Sequence, residues 1–155
     1  MPLPESVAVR LETQLESLKL VLGNATPAAL KTRPKSGKWS AHENLAHLVR
    51  HHRVTMGRIR RILDEDSPQL PAYSAENDPD WPAVVEMSTD EVVKMLLAAR
   101  QEMIALTRRL SPFQLSRVGI HPAFGPMTLA QWLDFFLIHE AHHLYVAMTR
   151  AHVRE

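Results

Sequence analysis

Apolar residues recur at helical spacing in four long segments, and this periodicity most constrains the fold. In the third segment they follow a 4-3-4-3-4 rhythm, the seam expected of a helix in a bundle. These positions are Val92, Leu96, Ala99, Met103, Leu106 and Leu110. Glycine is scarce, and the eleven prolines lie mostly between the periodic segments. Because no segment of useful length alternates as a strand does, the pattern predicts an all-α protein with the architecture of a four-helix bundle.

Capping signals mark the start of three of the four helices. A Ser or Thr followed three residues later by Glu or Gln is a capping box, which satisfies two free amides at a helix start. The three pairs are Ser40 with Glu43, Ser88 with Glu91, and Thr128 with Gln131. The predicted helices span residues 5–22, 40–63, 88–110 and 128–150. Segments 64–87 and 111–127 are predicted loops with room for short helical turns.

Length, charge and cysteine content narrow the function classes. The 155 residues fit one domain, predicted to span 1–155. The absence of cysteine excludes disulfides, thiolate zinc sites and a cysteine nucleophile. With no secretory signal and no run of 18 apolar residues, we expect a cytoplasmic protein without a membrane partner. The net charge is +1. The densest basic stretch, residues 50–61, alternates with apolar positions as a solvated helix face would, which argues against a nucleic-acid partner.

The segment FFLIHEAHHLY, residues 135–145, contains the string H-E-x-x-H. His139 and His143 are four residues apart, so both project from one face of the fourth helix, at a spacing that lets two imidazoles bind one metal ion. A zinc protease with this string needs a further ligand downstream and a sheet beside the helix. Only twelve residues follow His143, Thr149 occupies the usual histidine position, and no sheet is predicted, so the protease interpretation fails.

A third ligand must then come from upstream. The second helix carries four histidines, of which His47 lies within its apolar half and is the best candidate. His51 and His52 resemble surface or rim residues beside Arg50 and Arg53, and His42 is expected to be exposed. The alternative, in which His139 and His143 are core histidines bonded to buried polar groups, stays open on spacing alone.

Several neighbours are candidates for the pocket or for orienting the ligands. Asn44 lies one turn before His47, and His51 one turn after it. Trp39 lies at the start of the same helix, whereas Trp81 and Trp132 are expected to pack. Glu140 is expected to be a solvated residue or to support a neighbouring histidine, rather than a general base. His142 is expected to be exposed.

The position of the loop GIHPAFGPM, residues 119–127, distinguishes a catalytic from a non-catalytic function. If His121 and Phe124 close over the metal, a substrate pocket is expected. If the loop is exposed and side chains cap the site, a non-catalytic role is favoured.

Two stretches resemble the DinB superfamily. KWSAHENLAHLVRHH, residues 38–52, is similar to that family's Trp-Ser-x-x-Glu-x-x-x-His opening, and PMTLAQWLDFFLIHEAHHLYVAM, residues 126–148, to its closing His-x-x-x-His helix. The resemblance implies an antiparallel four-helix bundle with a long crossover between the second and third helices, often paired as a homodimer. It implies one divalent metal (zinc, nickel or iron) bound by His47, His139 and His143, and in some relatives a low-molecular-weight thiol as cosubstrate.

The sequence therefore favours a metal-dependent enzyme acting on a small molecule. Three neutral imidazoles leave a position for water, thiol or substrate, as catalytic sites do. The expected reaction is a hydrolysis or, as the resemblance implies, a thiol-dependent S-transfer or isomerisation. The alternative is a non-catalytic metal-binding or stress-response bundle. The substrate, the metal and the catalytic residues are not specified by the sequence.

Overall fold

A computed structural model describes residues 2–153. Four helical segments form a bundle, which confirms the predicted fold class. The first consists of α1 (Glu5–Thr13), a 3-10 turn (Gln14–Ser17) and α2 (Leu18–Leu22), and the others are α4 (Ala41–Asp64), α6 (Thr89–Thr107) and α8 (Leu129–His152). Shorter elements connect them: α3 (Pro27–Lys31), a 3-10 turn (Ala75–Asn77), α5 (Trp81–Glu86), α7 (Pro112–Ser116), and strands β1 (Val118–His121) and β2 (Gly125–Thr128).

Cross-helix contacts fix how the bundle helices run. Asn44 near the start of α4 contacts His143, and Arg58 near its end contacts Trp132, so α4 and α8 are antiparallel. His42 bonds Thr89 at the start of α6, whereas Arg53 bonds Glu102 further along it, so α4 and α6 are parallel. The long crossover, predicted over residues 64–87, is found at residues 65–88. It returns the chain to the end of the bundle where α4 began, and this allows α6 to run beside α4.

All three predicted capping boxes form. At the start of α4 the Ser40 hydroxyl accepts from the Glu43 amide, and the Glu43 carboxylate accepts from the Ser40 amide. The same reciprocal pair begins α6 and α8. The starts of the helices that carry the predicted ligands are therefore set by local sequence.

The first predicted helix is not continuous. A 3-10 turn interrupts it, and there the Thr13 hydroxyl donates to the Val9 carbonyl, a side-chain bond that competes with the helix ladder. In the tightened turn, Gln14 donates to the Leu137 carbonyl and to Glu140 of α8. The interruption therefore lets the Gln14 side chain reach the buried Glu140 of α8.

A hairpin occupies part of the predicted loop 111–127. Strands β1 and β2 pair antiparallel from Val118 opposite Thr128 to His121 opposite Gly125. Gly125, the first residue of β2 after the turn, has a φ of +73°, a conformation that favours glycine. Four-residue strands are too short to show an alternating pattern, so the sequence did not indicate them.

The apolar core has two parts separated by a polar layer. One cluster includes Met56, Ile59 and Phe136, and the other includes Leu45, Leu48 and Leu144. Buried polar side chains lie between them in sequence on α4, α6 and α8. These are His51, His52, Thr55, Arg100 and Glu140. Within residues 2–153, no helix combines the length and the apolar character needed to span a membrane.

Candidate metal centre

The antiparallel packing of α4 against α8 brings three imidazoles together. One ring nitrogen from each of His47, His139 and His143 lies within 4.8 Å of the others. The Nε2 atoms of His47 and His139 are 3.2 Å apart. Two nitrogens bound to one tetrahedral zinc at 2.0–2.1 Å are separated by roughly 3.4 Å. The three residues named from the sequence therefore converge with a spacing suited to one metal ion.

Asn44 fixes the orientation of His143. Its Oδ1 lies 2.8 Å from Nδ1 of His143, and its Nδ2 donates to the Ser40 carbonyl at 2.8 Å. The second bond leaves Oδ1 as the atom that faces the imidazole, so Nδ1 of His143 carries the proton and Nε2 keeps its lone pair for a ligand. This is how metal-binding histidines are commonly oriented.

Burial keeps the three imidazoles neutral. It lowers the pKa of His47 to about 4, while burial together with the neighbouring histidines lowers the pKa of His139 and His143 to about 3. Only neutral imidazole can bind a metal. At neutral pH the cluster is thus in the form that ligation requires.

His47 and His139 lack the hydrogen bonds expected of core histidines. The Nδ1 atoms of His47 and His139 are buried and have no hydrogen-bond partner within residues 2–153, while their Nε2 atoms face each other. Histidines that are simply buried in a core normally have their ring nitrogens hydrogen-bonded. His42 behaves in that way, because its nitrogens contact the Thr89 hydroxyl and the Val85 carbonyl. The donor set of the cluster therefore suits a divalent transition metal, and the bonded-core alternative does not describe His47 and His139.

Aromatic side chains surround the cluster on the side of the crossover. The ring of Trp39 lies 5.1 Å from that of His47 and 6.3 Å from that of His143. The ring of Trp81, expected only to pack, is tilted against that of Trp39 at 5.1 Å and also contacts His47. Tyr73 stacks on His47 at 5.5 Å. Tyr73 was not singled out from the sequence, because its position depends on the path of a loop.

An ion-pair network holds the crossover over the cluster. Arg50 of α4 binds Asp78 through two hydrogen bonds, and the Tyr73 hydroxyl donates to the same carboxylate at 2.7 Å. These bonds lower the pKa of Asp78 to about 2. The network fixes the Tyr73 ring against His47.

Several expectations of exposure are wrong. His42, His51 and His52 are all buried, although the sequence suggested exposed or rim positions. The ring of His51 lies 3.8 Å from that of His139 and parallel to Phe136, and His52 bonds the Leu48 carbonyl. Helices α6 and α8 and the crossover cover the face of α4 that would otherwise be solvated. His142 is exposed as expected.

Glu140 is fully buried rather than solvated. It forms an ion pair with Arg100 of α6 and accepts a hydrogen bond from Gln14, and His52 Nε2 lies 3.6 Å from its carboxylate. Burial raises the pKa of Glu140, and the guanidinium of Arg100 opposes that shift. Because its carboxylate is bound to partners on other helices, Glu140 has a structural role beside the cluster.

The hairpin tip contacts α8 rather than the three histidines. His121 and Phe124 stack at 4.6 Å, and His121 also contacts Trp132 and Phe135. Phe124 is 63% exposed. Within residues 2–153, no aromatic contact joins either residue to His47, His139 or His143.

Comparisons with known proteins agree with this fold and cluster. Residues 10–147 match the DinB superfamily. YuaE, an uncharacterized protein of Bacillus subtilis, is 29% identical over 147 residues, covering 87% of this chain and 88% of its own. A candidate metal-dependent hydrolase of Oceanobacillus iheyensis is 24% identical over 155 residues, covering 93% of this chain and 87% of its own.

One solved structure shows the same architecture. YfiT of Bacillus subtilis, described as a candidate metal-dependent hydrolase with an unusual four-helix bundle topology, superimposes with a TM-score of 0.77. It is 22% identical, and the match covers 94% of this chain and 85% of YfiT. The match over residues 10–147 includes all three clustered histidines, and the chain belongs to the DinB superfamily.

Proposed function

We propose that this chain is a metal-dependent hydrolase of a small molecule, with the metal bound by His47, His139 and His143. The observation that carries the proposal is the convergence of three neutral imidazoles from two helices within 4.8 Å. The description of its relatives as candidate metal-dependent hydrolases supports the reaction class.

The protein's own residues supply a preorganised donor set. Three histidines leave at least one coordination position for water or substrate, which is the layout of catalytic zinc sites. A bound divalent ion supplies Lewis acidity that lowers the pKa of water or of a thiol. Asn44 holds the tautomer of His143, Tyr73 and Trp39 restrict His47, and Glu140 is already bound to Arg100.

The test is hydrolysis by protein of known metal content. Metal-loaded protein, metal-free protein and a loaded His142→Ala control are assayed against a panel of small esters, amides and lactones. We expect turnover only in the two loaded proteins. Turnover that appears only after glutathione or another low-molecular-weight thiol is added would move the assignment to a thiol-dependent transferase. Protein that holds a stoichiometric amount of metal but shows no turnover, with or without added thiol, would contradict the assignment as a hydrolase.

One observation favours a second candidate, a non-catalytic metal-binding bundle. The exposed Phe124 shows that the hairpin tip does not close over the cluster, while Trp39 and Tyr73 cover it. This candidate predicts tight metal binding with no exchangeable position. Adding azide to cobalt-loaded protein distinguishes the two, since an open position gives a change in the visible spectrum and a closed one gives none.

We also propose that two copies of the chain pair through α8. Its outward face carries Ile138 at 61% and Tyr145 at 63% exposed, with Ala141 between them. From residue 135 to 149 the only Asp, Glu, Lys or Arg is the buried Glu140. A helix face without charged residues can pack against the same face of a second copy without burying an unpaired charge. A small residue at the centre of that face allows the two helices to approach closely.

A further inference from the structure

Arg58 is a buried cation without a carboxylate partner. It is 7% exposed, its Nη2 donates to the Pro71 carbonyl at 2.8 Å, and its guanidinium lies 5.4 Å from the ring of Trp132. No carboxylate within residues 2–153 is within ion-pair distance of it, and burial alone lowers its pKa. Arg100, the other buried arginine among the described residues, binds Glu140. Burial of an unpaired charge is unfavourable, so Arg58 is a candidate for binding a ligand.

Arg58 belongs to the same stripe of α4 as a predicted metal ligand. His47, His51, Thr55 and Arg58 follow one another at spacings of four, four and three residues, and all four are buried. This stripe faces α8, where Arg58 lies against Trp132 and His47 against His139. The guanidinium of Arg58 lies 5.4 Å from the ring of Trp132, which is seven residues before His139 on α8.

Unpartnered polar atoms lie along the stripe between the two ends. His51 Nδ1 and Thr55 Oγ1 are buried without a hydrogen-bond partner within the described residues, and so is Nδ1 of the facing His139. Buried polar atoms are normally satisfied by protein or by a bound molecule. A row of such atoms from His47 to Arg58 is poorly suited to a core and well suited to contacting a polar ligand.

The net charge of this region is positive, which favours an anionic ligand. The histidines are neutral, and a divalent ion at the cluster would add to the charge of Arg58. Of the nearby carboxylates, Glu140 is offset by Arg100, and Glu76 is exposed on the crossover near His47. The stripe itself offers a single guanidinium and no second cation, which matches a monoanion such as a carboxylate better than a phosphate.

We propose that Arg58 binds a carboxylate of the substrate, so that the substrate of this enzyme is a small carboxylic acid whose reacting group lies at the metal. This inference rests on the proposed metal centre and narrows its substrate class. Arg58 then determines specificity by contact with the non-reacting end of the substrate.

Binding of dicarboxylates to metal-loaded protein tests the inference. The probes are oxalate, malonate, succinate and glutarate, each compared with its uncharged diamide by calorimetry. We expect at least one diacid to bind about tenfold or more tightly than its diamide, as the loss of a charge-assisted hydrogen bond implies. Arg58→Gln should reduce this preference about tenfold, because only the carboxylate at the metal would then be recognised, and Arg58→Lys should lose less of it. Arg53→Gln, which changes an exposed arginine of the same helix, should leave it unchanged.

Thermal unfolding distinguishes binding from a structural role. If Arg58 serves only to hold Pro71, Arg58→Gln lowers the melting temperature of the metal-free protein. Because the native charge is unpaired, we expect the variant to melt at the same temperature or higher. A diacid preference that is absent from the parent, or unchanged in Arg58→Gln, would overturn the inference.

Measuring the metal content of the parent and of Arg58→Gln separates the proposal of a metal centre from the proposal of a carboxylate site at Arg58. Arg58→Gln should hold as much metal as the parent. If the parent holds no metal, the metal centre is wrong, whereas carboxylate binding to metal-free protein that disappears in Arg58→Gln would still support the anion site.

Discussion

Asn44 is the residue whose role in the metal centre can be isolated most cleanly. It contacts His143 through one oxygen and does not belong to the donor set. Replacing Asn44 by Ala removes the acceptor that fixes the imidazole, so we expect metal affinity to fall about 10- to 100-fold, as is usual for such partners. Competition with a chromophoric chelator measures it.

The control for this change keeps the acceptor. Asn44→Asp presents an oxygen to His143 but loses the donor to the Ser40 carbonyl, so it should retain more of the affinity than Asn44→Ala, with the helical content of both variants unchanged. An affinity of Asn44→Ala equal to that of the parent would show that packing alone orients His143.

The three clustered histidines could be predicted from the sequence, whereas Arg58 was missed. His139 and His143 were recognisable because their spacing matches one turn, and His47 because its neighbours are apolar. Arg58 was assigned to a solvated face with the other arginines of residues 50–61. Its position eleven residues after His47 places it on the stripe of the ligands, and that periodicity was the available signal.

Burial of Glu140 could not be predicted from its own helix. A helical pattern shows which side of α8 a residue occupies, but the partner Arg100 comes from α6 and Gln14 from the interrupted first helix. Long-range pairing of this kind is specified by the tertiary packing. The same reason accounts for the burial of His51 and His52.

At the level of elements, the ion pair between Arg100 and Glu140 joins α6 to α8. Glu140→Ala would leave the guanidinium of Arg100 buried without its partner, and we expect the free energy of unfolding to fall by about 3–5 kcal/mol. Urea denaturation of the metal-free protein measures the change.

A double variant tests whether the loss comes from the stranded charge. Replacing both residues, Arg100→Met with Glu140→Leu, removes the charge together with its partner and should recover most of the stability. A double variant as unstable as Glu140→Ala would instead assign the effect to packing.

The main helices were predictable at their starts because capping boxes are local signals. The second helix was expected over 40–63 and is found at Ala41–Asp64. The hairpin was not predictable, since β1 and β2 depend on tertiary support: Leu70 of the crossover donates to the Ile120 carbonyl, and the Trp132 indole donates to the Gly119 carbonyl.

For the whole molecule, stability should fall on acidification. Burial lowers the pKa of His52 to about 3 and also lowers the pKa of His42, whereas both titrate near the ordinary value of 6.5 when the chain unfolds. Below pH 6.5 the unfolded chain therefore binds more protons than the folded protein, and each such group removes roughly 1.4 kcal/mol per pH unit until its folded pKa is reached.

Urea denaturation of metal-free protein between pH 7.5 and 4.5 measures this dependence. The free energy of unfolding should be highest above pH 6.5, and His52→Gln should show a shallower decline than the parent. A stability that is constant or increases as the pH falls would contradict the burial of these histidines.

The proposed pairing through α8 predicts a change in mass. The parent should sediment as a dimer, whereas Ile138→Glu introduces a charge on the face and should give a monomer with unchanged helical content. Phe113→Glu, at an exposed phenylalanine outside α8, is the control and should remain dimeric. A parent that sediments as a monomer would contradict the pairing.

Elemental analysis of purified protein tests the metal centre most directly. The parent and His142→Ala, which changes the exposed histidine between the two ligands of α8, should each contain about one equivalent of a transition metal. His47→Ala, His139→Ala and His143→Ala should contain little, with their helical content retained because the apolar seams are intact. Equal metal in His47→Ala and the parent would contradict a site built from both helices.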